Sequence, residues 1–248
     1  MTKPYFEKTF EIRAYECDFR GRLSPLAVFN FMQDLASQHA DLLGFSVQKL
    51  MQQNMTWVLS RIHLQFTGIL HWGDEMRGRT WPSGTQGRYA LRDFQLFNGK
   101  GKSIAVGTSS WMVLDLEKRK PVKFEDLFDT RPFLNSVRAL SDEFLPLPEI
   151  EGFDLEKEFQ VRYSDLDVNQ HVNHVAYIDW GLESIPESVL LKAYPVKIEV
   201  GYRREVFYGD QVFSRAKQAE KGVEPIFHHQ IFSGKDDVEI ARMRTKWK

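Results

Sequence analysis

The chain contains itself twice, and that duplication limits its possible folds more than any other feature. The segment FEIRAYECD (10–18) lines up with FQVRYSDLD (159–167). Phe10, Ile12, Arg13 and Asp18 fall on Phe159, Val161, Arg162 and Asp167, 149 positions later. Further along, RIHLQFTGILHWGDEM (61–76) matches KIEVGYRREVFYGDQV (197–212). Here Ile62 falls on Ile198, Phe66 on Tyr202, and Gly73-Asp74 on Gly209-Asp210, at an offset of 136. QLFNGK (95–100) then matches QIFSGK (230–235) at 135, and Trp111 matches Trp247 at 136. The order is the same in both copies. The 248 residues therefore divide into two modest domains rather than one large one. The first copy spans 1–116 and the second 157–248. Between them, 117–156 reads as a linker, with Pro121, Pro132, Pro146 and Pro148 among dense charge.

Each copy has the same local pattern. The first opens with the alternating strand FEIRAYE. Ser24 is a good helix N-cap, Pro25 suits the first helical position, and Gly44 is a natural stop. Between them, LAVFNFMQDLASQHADLL has too wide an apolar stripe for an ordinary surface helix, and fits one wrapped by a sheet. Four strand-like segments follow: TWVLSRIHLQFTG, DEMRGRTWPSG, RYALRDFQLFNG and SIAVGTSSWMVLD. Asn98-Gly99 marks a hairpin between the last two. In the second copy FQVRYSD is the strand and Asn173 caps the helix HVAYIDWGLES. VKIEVGYRREV, DQVFSRAKQAE, EPIFHHQIFSG and DVEIARMRTKWK form the meander. A sheet curled around one central helix buries such a helix economically. The expected class is α+β: two tandem hotdog domains, each an antiparallel sheet around a long helix.

Composition narrows the function. Net charge is -1, from 33 basic and 34 acidic residues, and no basic arm or helix-turn-helix is visible, so nucleic acid is not an expected partner. Cys17 is the one cysteine, which excludes an intrachain disulfide framework and a multi-thiolate zinc site. The start MTKPYFEKTFEIR lacks the apolar core of a signal peptide, and no apolar run is long enough to span a bilayer. A cytoplasmic protein without an integral membrane segment is expected.

The unusual segment is YSDLDVNQHVNHVAYIDW (163–180). Asp165, Asp167, Asn169, His171 and Asn173 alternate, so in extended chain they share one face just before a helix N-terminus. Such an end offers unpaired amides and a positive dipole, a ready oxyanion site. The same pattern also suits a polar turn that only caps a helix. The duplication favours chemistry. Asn169 and His171 align with Arg20 and Arg22, and Glu205 aligns with Ile69. One copy carries a polar set, while the other reads as an apolar wall.

At these residues the sequence resembles the acyl-acyl-carrier-protein (acyl-ACP) thioesterases, double hotdog enzymes that release fatty acids from acyl carrier protein. The resemblance rests on SDLDVNQHVNHVAYIDW and GYRREV and extends over nearly the whole chain. It implies that the catalytic Asp, Asn, His and Glu fall on Asp167, Asn169, His171 and Glu205. Many members carry a cysteine just after that Glu, where this chain has Val206, so a cysteine acyl-enzyme route lacks its nucleophile. Another departure is His174, where many members have a second Asn; it either hydrogen-bonds near the site or faces solvent in the first helical turn, and we expect the latter. The implied mechanism is attack by water with Glu205, aided by His171, taking its proton. Amides at Val172 and Asn173 would hold the oxyanion.

No metal or cofactor is called for: the ligand types at Asp165, Asp167, His171 and His174 have no second cluster to complete a site. His228-His229 lies on a strand, which points one ring to the surface and one to the core. The implied partner is acyl carrier protein, for which Arg203, Arg204 and Arg215, with Lys118, Arg119 and Lys120, are candidate basic contacts. Two other readings share the fold: a hotdog acyl-CoA thioesterase and a non-enzymatic acyl-binding regulator. Phe29, Met32, Leu35, Trp57 and Trp72 are either acyl-tunnel lining or ordinary core. Because fusion already supplies two copies, either a monomer or a homodimer is expected.

Overall fold

The computed structural model describes residues 5–123, 126–127, 137–167, 171–220 and 222–248. Two compact units divide it, Met1–Glu143 and Phe144–Lys248. In the first unit the strands are β1 (Phe6–Glu11), β2 (Met55–Phe66), β3 (Glu75–Gln86), β4 (Tyr89–Asn98), β5 (Ser103–Asp115) and the short β6 (Lys120–Val122). They pair antiparallel in the order β1-β3-β4-β5-β2, with β6 beside β5. The second unit holds β7 (Leu155–Gln160), β8 (Pro195–Tyr202), β9 (Gln211–Glu220), β10 (Ile226–Ser233) and β11 (Glu239–Trp247). Their antiparallel order is β7-β9-β10-β11-β8. Counted within each unit, both sheets run first, third, fourth, fifth, second. The repeat in the sequence is thus a repeat of topology.

Helix α1 (Pro25–Leu43) of the first unit forms as its ends dictate. The Ser24 side chain accepts the Leu26 N–H, Pro25 opens the helix, and Gly44 closes it at φ 90°. Only Asn30, Ser37, Asp41 and Leu42 are exposed along it, which matches its wide apolar stripe. Phe29, Met32 and Leu35 are fully buried. Glycines in the sheet let the helix sit close. A Cβ at Gly78 would stand 2.5 Å from the Leu35 side chain, and one at Gly107 2.8 Å from that of Met32. A short helix α2 (Val47–Met51) follows. In the second unit, α3 (His174–Glu183) is capped by Asn173, whose side chain accepts the Val175 N–H. At ten residues it is much shorter than α1, and α4 (Glu187–Leu190) follows beyond Pro186. Here the glycine is on the helix: Gly181 makes room for Met243 of β11. None of the described helices is long and apolar enough to cross a membrane.

Several sequence boundaries move. The strands expected at 10–16 and 159–165 lie earlier, and both copies instead form a 3-10 turn, Ala14–Glu16 and Tyr163–Asp165. The cause is a carboxylate three residues on: Glu16 accepts the Arg13 N–H at 2.8 Å, and Asp165 the Arg162 N–H at 2.7 Å. The β4–β5 hairpin is not a two-residue Asn-Gly turn. The Asn98 side chain accepts the N–H groups of Lys100 and Lys102, and Gly101 takes the positive φ. The stretch expected as a linker is divided between the units. Arg138 bonds Asp93 and Thr108 in the first, and Arg242 bonds the Leu147 carbonyl and Glu149 in the second.

The cores carry neutral histidines. His39 of α1 stands 3.2 Å from the Arg92 guanidinium, and His229 of β10 bonds the Thr245 hydroxyl at 2.9 Å. His229 is fully buried and His228, next to it, is half-buried, as the alternation of the strand requires. Burial, and secondarily Arg92, holds His39 down to about 3; burial, and secondarily His228, holds His229 down to about 3. The unfolded chain binds these protons near pH 6.5. Stability is therefore full above that pH and is lost as pH falls toward 3, by about 1 kcal/mol per pH unit for each histidine. Urea unfolding at pH 7, 6 and 5 should give a falling midpoint, and a constant one would contradict buried, neutral rings.

Candidate active site

The site is built on the chain between β7 and α3. Val161 gives its N–H to the Asp210 carbonyl and accepts that of Gly209, which ties the end of β7 to the turn after β8. The 3-10 turn follows, and Leu166 and Val172 then face each other as an isolated antiparallel pair. Asp167 donates its N–H to the His171 carbonyl at 2.8 Å, and its carboxylate accepts the His171 N–H at 3.2 Å. These two contacts close the loop from Asp167 to His171 and hold His171 at the mouth of α3. Asn173 then caps the helix.

The first copy repeats this loop. Asp18 donates its N–H to the Arg22 carbonyl at 2.7 Å, and its carboxylate accepts the N–H groups of Arg20 and Arg22. Cys17 and Leu23 form the equivalent pair. There the Arg22 guanidinium also folds back onto Asp18 at 2.8 Å, so that the position carries a closed ion pair. His171 is not turned back in this way. Its Nδ1 lies 3.8 Å from Glu205 Oε1, and Phe207 packs on the ring edge. Both side chains are half-exposed, His171 at 47% and Glu205 at 53%.

The structure thus brings Asp167, His171 and Glu205 together. Asn169 lies outside the described residues. Of the two amides expected at the oxyanion, Asn173 is already committed, since its N–H reaches the Asp165 carbonyl at 2.8 Å. The Val172 N–H is different. Its counterpart Leu23 gives its N–H to the Leu70 carbonyl at 2.8 Å, whereas among the described residues no acceptor takes that of Val172. His174 does not simply face solvent. It is partly buried with its ring edge-on to Tyr202, and burial, offset in part by Asp167, lowers its pKa to about 4.

The candidate basic contacts are largely neutralised. Arg203 pairs with Glu239, Arg204 with Asp236, Arg215 with Glu156, and Lys118 with Asp115. Asp165 is held by Arg162. Cys17 lies against the Arg13 carbonyl, and burial with Asp18 and Glu16 pushes its thiol up, away from the thiolate a nucleophile needs. Trp57 belongs to the core, its N–H on the Phe45 carbonyl, whereas Trp72 is 69% exposed. Sequence reading missed two tyrosines beside the site, the buried Tyr177 and the partly buried Tyr202. The available signal was their alignment with Val28 and Phe66 in the first copy.

Comparison with known proteins extends the pattern to whole chains. The acyl-ACP thioesterase N-terminal domain matches residues 3–129 and the acyl-ACP thioesterase C-terminal domain residues 151–248. A chloroplastic palmitoyl-acyl carrier protein thioesterase of Gossypium hirsutum is 29% identical over 98% of this chain and 63% of its own, so this chain spans less than two thirds of that relative. The 12:0-ACP thioesterase from Umbellularia californica superposes with a TM-score of 0.89 at 26% identity, over 99% of this chain and 94% of that one. An oleoyl thioesterase (putative) from Lactobacillus plantarum gives 0.87 at 25% identity, over 98% and 96%.

The dependence of the loop on one carboxylate can be measured. Asp167→Ala should speed amide hydrogen exchange at His171 and cost about 1 kcal/mol of stability, as for a partly exposed hydrogen bond. Asp167→Asn, which keeps an acceptor oxygen, should restore most of the protection.

Proposed function

The chain belongs to the acyl-ACP thioesterase family, and from that premise we propose that it hydrolyses the thioester of a fatty acyl-ACP to free fatty acid and ACP. The observation that carries this reading is the meeting of His171 and Glu205, 3.8 Å apart at the head of α3, in one copy only. The other copy has Arg22 and Ile69 at those positions.

The reaction runs by direct attack of water. Glu205, with His171 beside it, takes a proton as the water oxygen bonds to the thioester carbonyl carbon. Negative charge builds on the carbonyl oxygen and is received by the Val172 N–H, a role supported by its lack of an acceptor among the described residues. The carbon–sulfur bond then breaks, the acid leaves, and the proton held by the Glu205–His171 pair passes to the departing thiolate. A thiolate leaves readily, so the carboxylate and imidazole suffice. Asp167 acts through the loop it closes, by fixing where His171 stands. Asn169 completes the proposed set by orienting the substrate or the water. Val206 follows Glu205 where a cysteine would have to stand for an acyl-enzyme route, and Cys17 is in the other unit.

Relatives differ in the acyl group that they are named for: palmitoyl, dodecanoyl and oleoyl. Pocket depth would discriminate between them at about 0.8 kcal/mol per methylene. The test is hydrolysis of matched C8–C18 acyl-ACP and acyl-CoA substrates. Glu205→Gln and His171→Ala should each lower the acyl-ACP rate about 10²–10⁴-fold if they move the proton. Full activity in both variants would sink the assignment. Preference for acyl-CoA would keep the chemistry and change the partner, and no turnover on either would favour an acyl-binding role.

A further inference from the structure

Glu205 sits on a weakly supported part of the chain. Strand β8 ends at Tyr202, and residues 203–207 have no regular structure. The start of this segment is held by the Ile240 carbonyl, which accepts the N–H groups of Arg203 and Arg204 at 2.9 and 3.2 Å. Its end is held by the Asp210 carboxylate, which accepts the Phe207 N–H at 2.9 Å. Glu205 itself is half-exposed, and among the described residues its side chain pairs with His171 at 3.8 Å.

One side chain reaches the middle. Tyr177 of α3 is buried in the same apolar cluster as Val206. Its hydroxyl donates to the Arg204 carbonyl at 3.3 Å. That carbonyl belongs to the peptide group that leads into Glu205. We propose that Tyr177 is a positioning residue for catalysis: its hydroxyl anchors the backbone beside Glu205 and so fixes the carboxylate against His171. The inference rests on the hydrolytic reading of that carboxylate.

The duplication supports this assignment independently of the contact. Counting from the two helix caps, Ser24 and Asn173, Tyr177 falls on Val28. Glu205 falls on Ile69. The copy without the carboxylate also lacks the hydroxyl. A buried hydroxyl with no partner is costly, so a tyrosine at a core position needs a local reason to be retained over valine or phenylalanine. The Arg204 carbonyl, next to Glu205, supplies it. Tyr202 provides a control within the same cluster. It packs edge-on to Tyr177 at 5.7 Å, and its hydroxyl goes to the His174 carbonyl at 3.2 Å, away from the Glu205 peptides.

The test is a double-mutant cycle on the full chain with its best acyl-ACP substrate. Tyr177→Phe keeps the ring and removes the hydroxyl. It should lower kcat about 10-fold, the kinetic equivalent of one buried hydrogen bond, and leave KM within about twofold. In a Glu205→Gln background it should add little, because there is no longer a base to misplace. Tyr202→Phe should leave kcat within about threefold. Tyr177→Phe losses that multiply fully with those of Glu205→Gln would make Tyr177 a merely structural residue and overturn the proposal, as would an unchanged kcat. Full activity in Glu205→Gln alone would instead overturn the functional reading, and the positioning role with it.

Discussion

The carboxylate of Asp167 accepts the backbone N–H of His171 while the Asp167 N–H goes to the His171 carbonyl, and the geometry of the second unit's site depends on that closure. It holds His171 at the start of α3, with Asn173 at the cap and the Val172 amide between them. A carboxylate suits this task because it accepts from backbone amides more strongly than a neutral side chain does. The same aspartate, with the same two partners in the backbone, stands in the first copy as Asp18. The loop is therefore separable from the chemistry. What distinguishes the two copies is the side chain that the loop presents, an arginine folded onto its own aspartate in one and an imidazole turned toward Glu205 in the other.

That comparison makes the protein its own control. The first unit keeps the clasp, the capped helix and the strand order, and loses the groups that would move a proton. Leu23 gives Leu70 the amide that in Val172 finds no acceptor among the described residues. Ile69 stands for Glu205 and Val28 for Tyr177. The first interior is not uniformly apolar, however. Arg92 is buried against His39 and the Thr80 hydroxyl, and among the described residues no carboxylate pairs with it. Its charge and its burial together keep His39 neutral. The reading of that copy as a plain apolar wall is thus too simple near the C-terminal half of α1.

Much of this was legible in the sequence because it is local. Ser24-Pro25 and Gly44 bound α1, and Asn173 opens α3, because capping depends on residues within a few positions of the helix end. The duplication conveyed topology that no single strand pattern could. What was not legible depends on which acceptor a group finds. The strands before each site end early because Glu16 and Asp165 take an N–H three residues back. The Asn173 amide is spent on Asp165, a partner eight residues away. His174 read as a first-turn residue facing water, but it meets Tyr202 from a strand nearly thirty positions on. Arginines that read as a basic rim are matched to acids such as Glu239 and Glu156, which charge counting alone does not pair.

The site also shows what does not hold it in place. His171 and Glu205 are half-exposed and 3.8 Å apart. At that exposure water screens their attraction, and a pair of this kind contributes little to fixing either group. Attraction between them is therefore a poor account of why they face each other. The backbone devices are stronger candidates: the Asp167 clasp on the His171 side, and on the Glu205 side the Tyr177 hydroxyl with the Ile240 carbonyl. Such an arrangement is prepared before substrate arrives, and it asks for no reorganisation when charge develops. Substrate that covers the pair removes the screening water, so the same separation then carries a larger interaction. In the proposed reaction the electrostatic strength of the site would come with the bound substrate, while its geometry is set by the hydrogen-bonded supports.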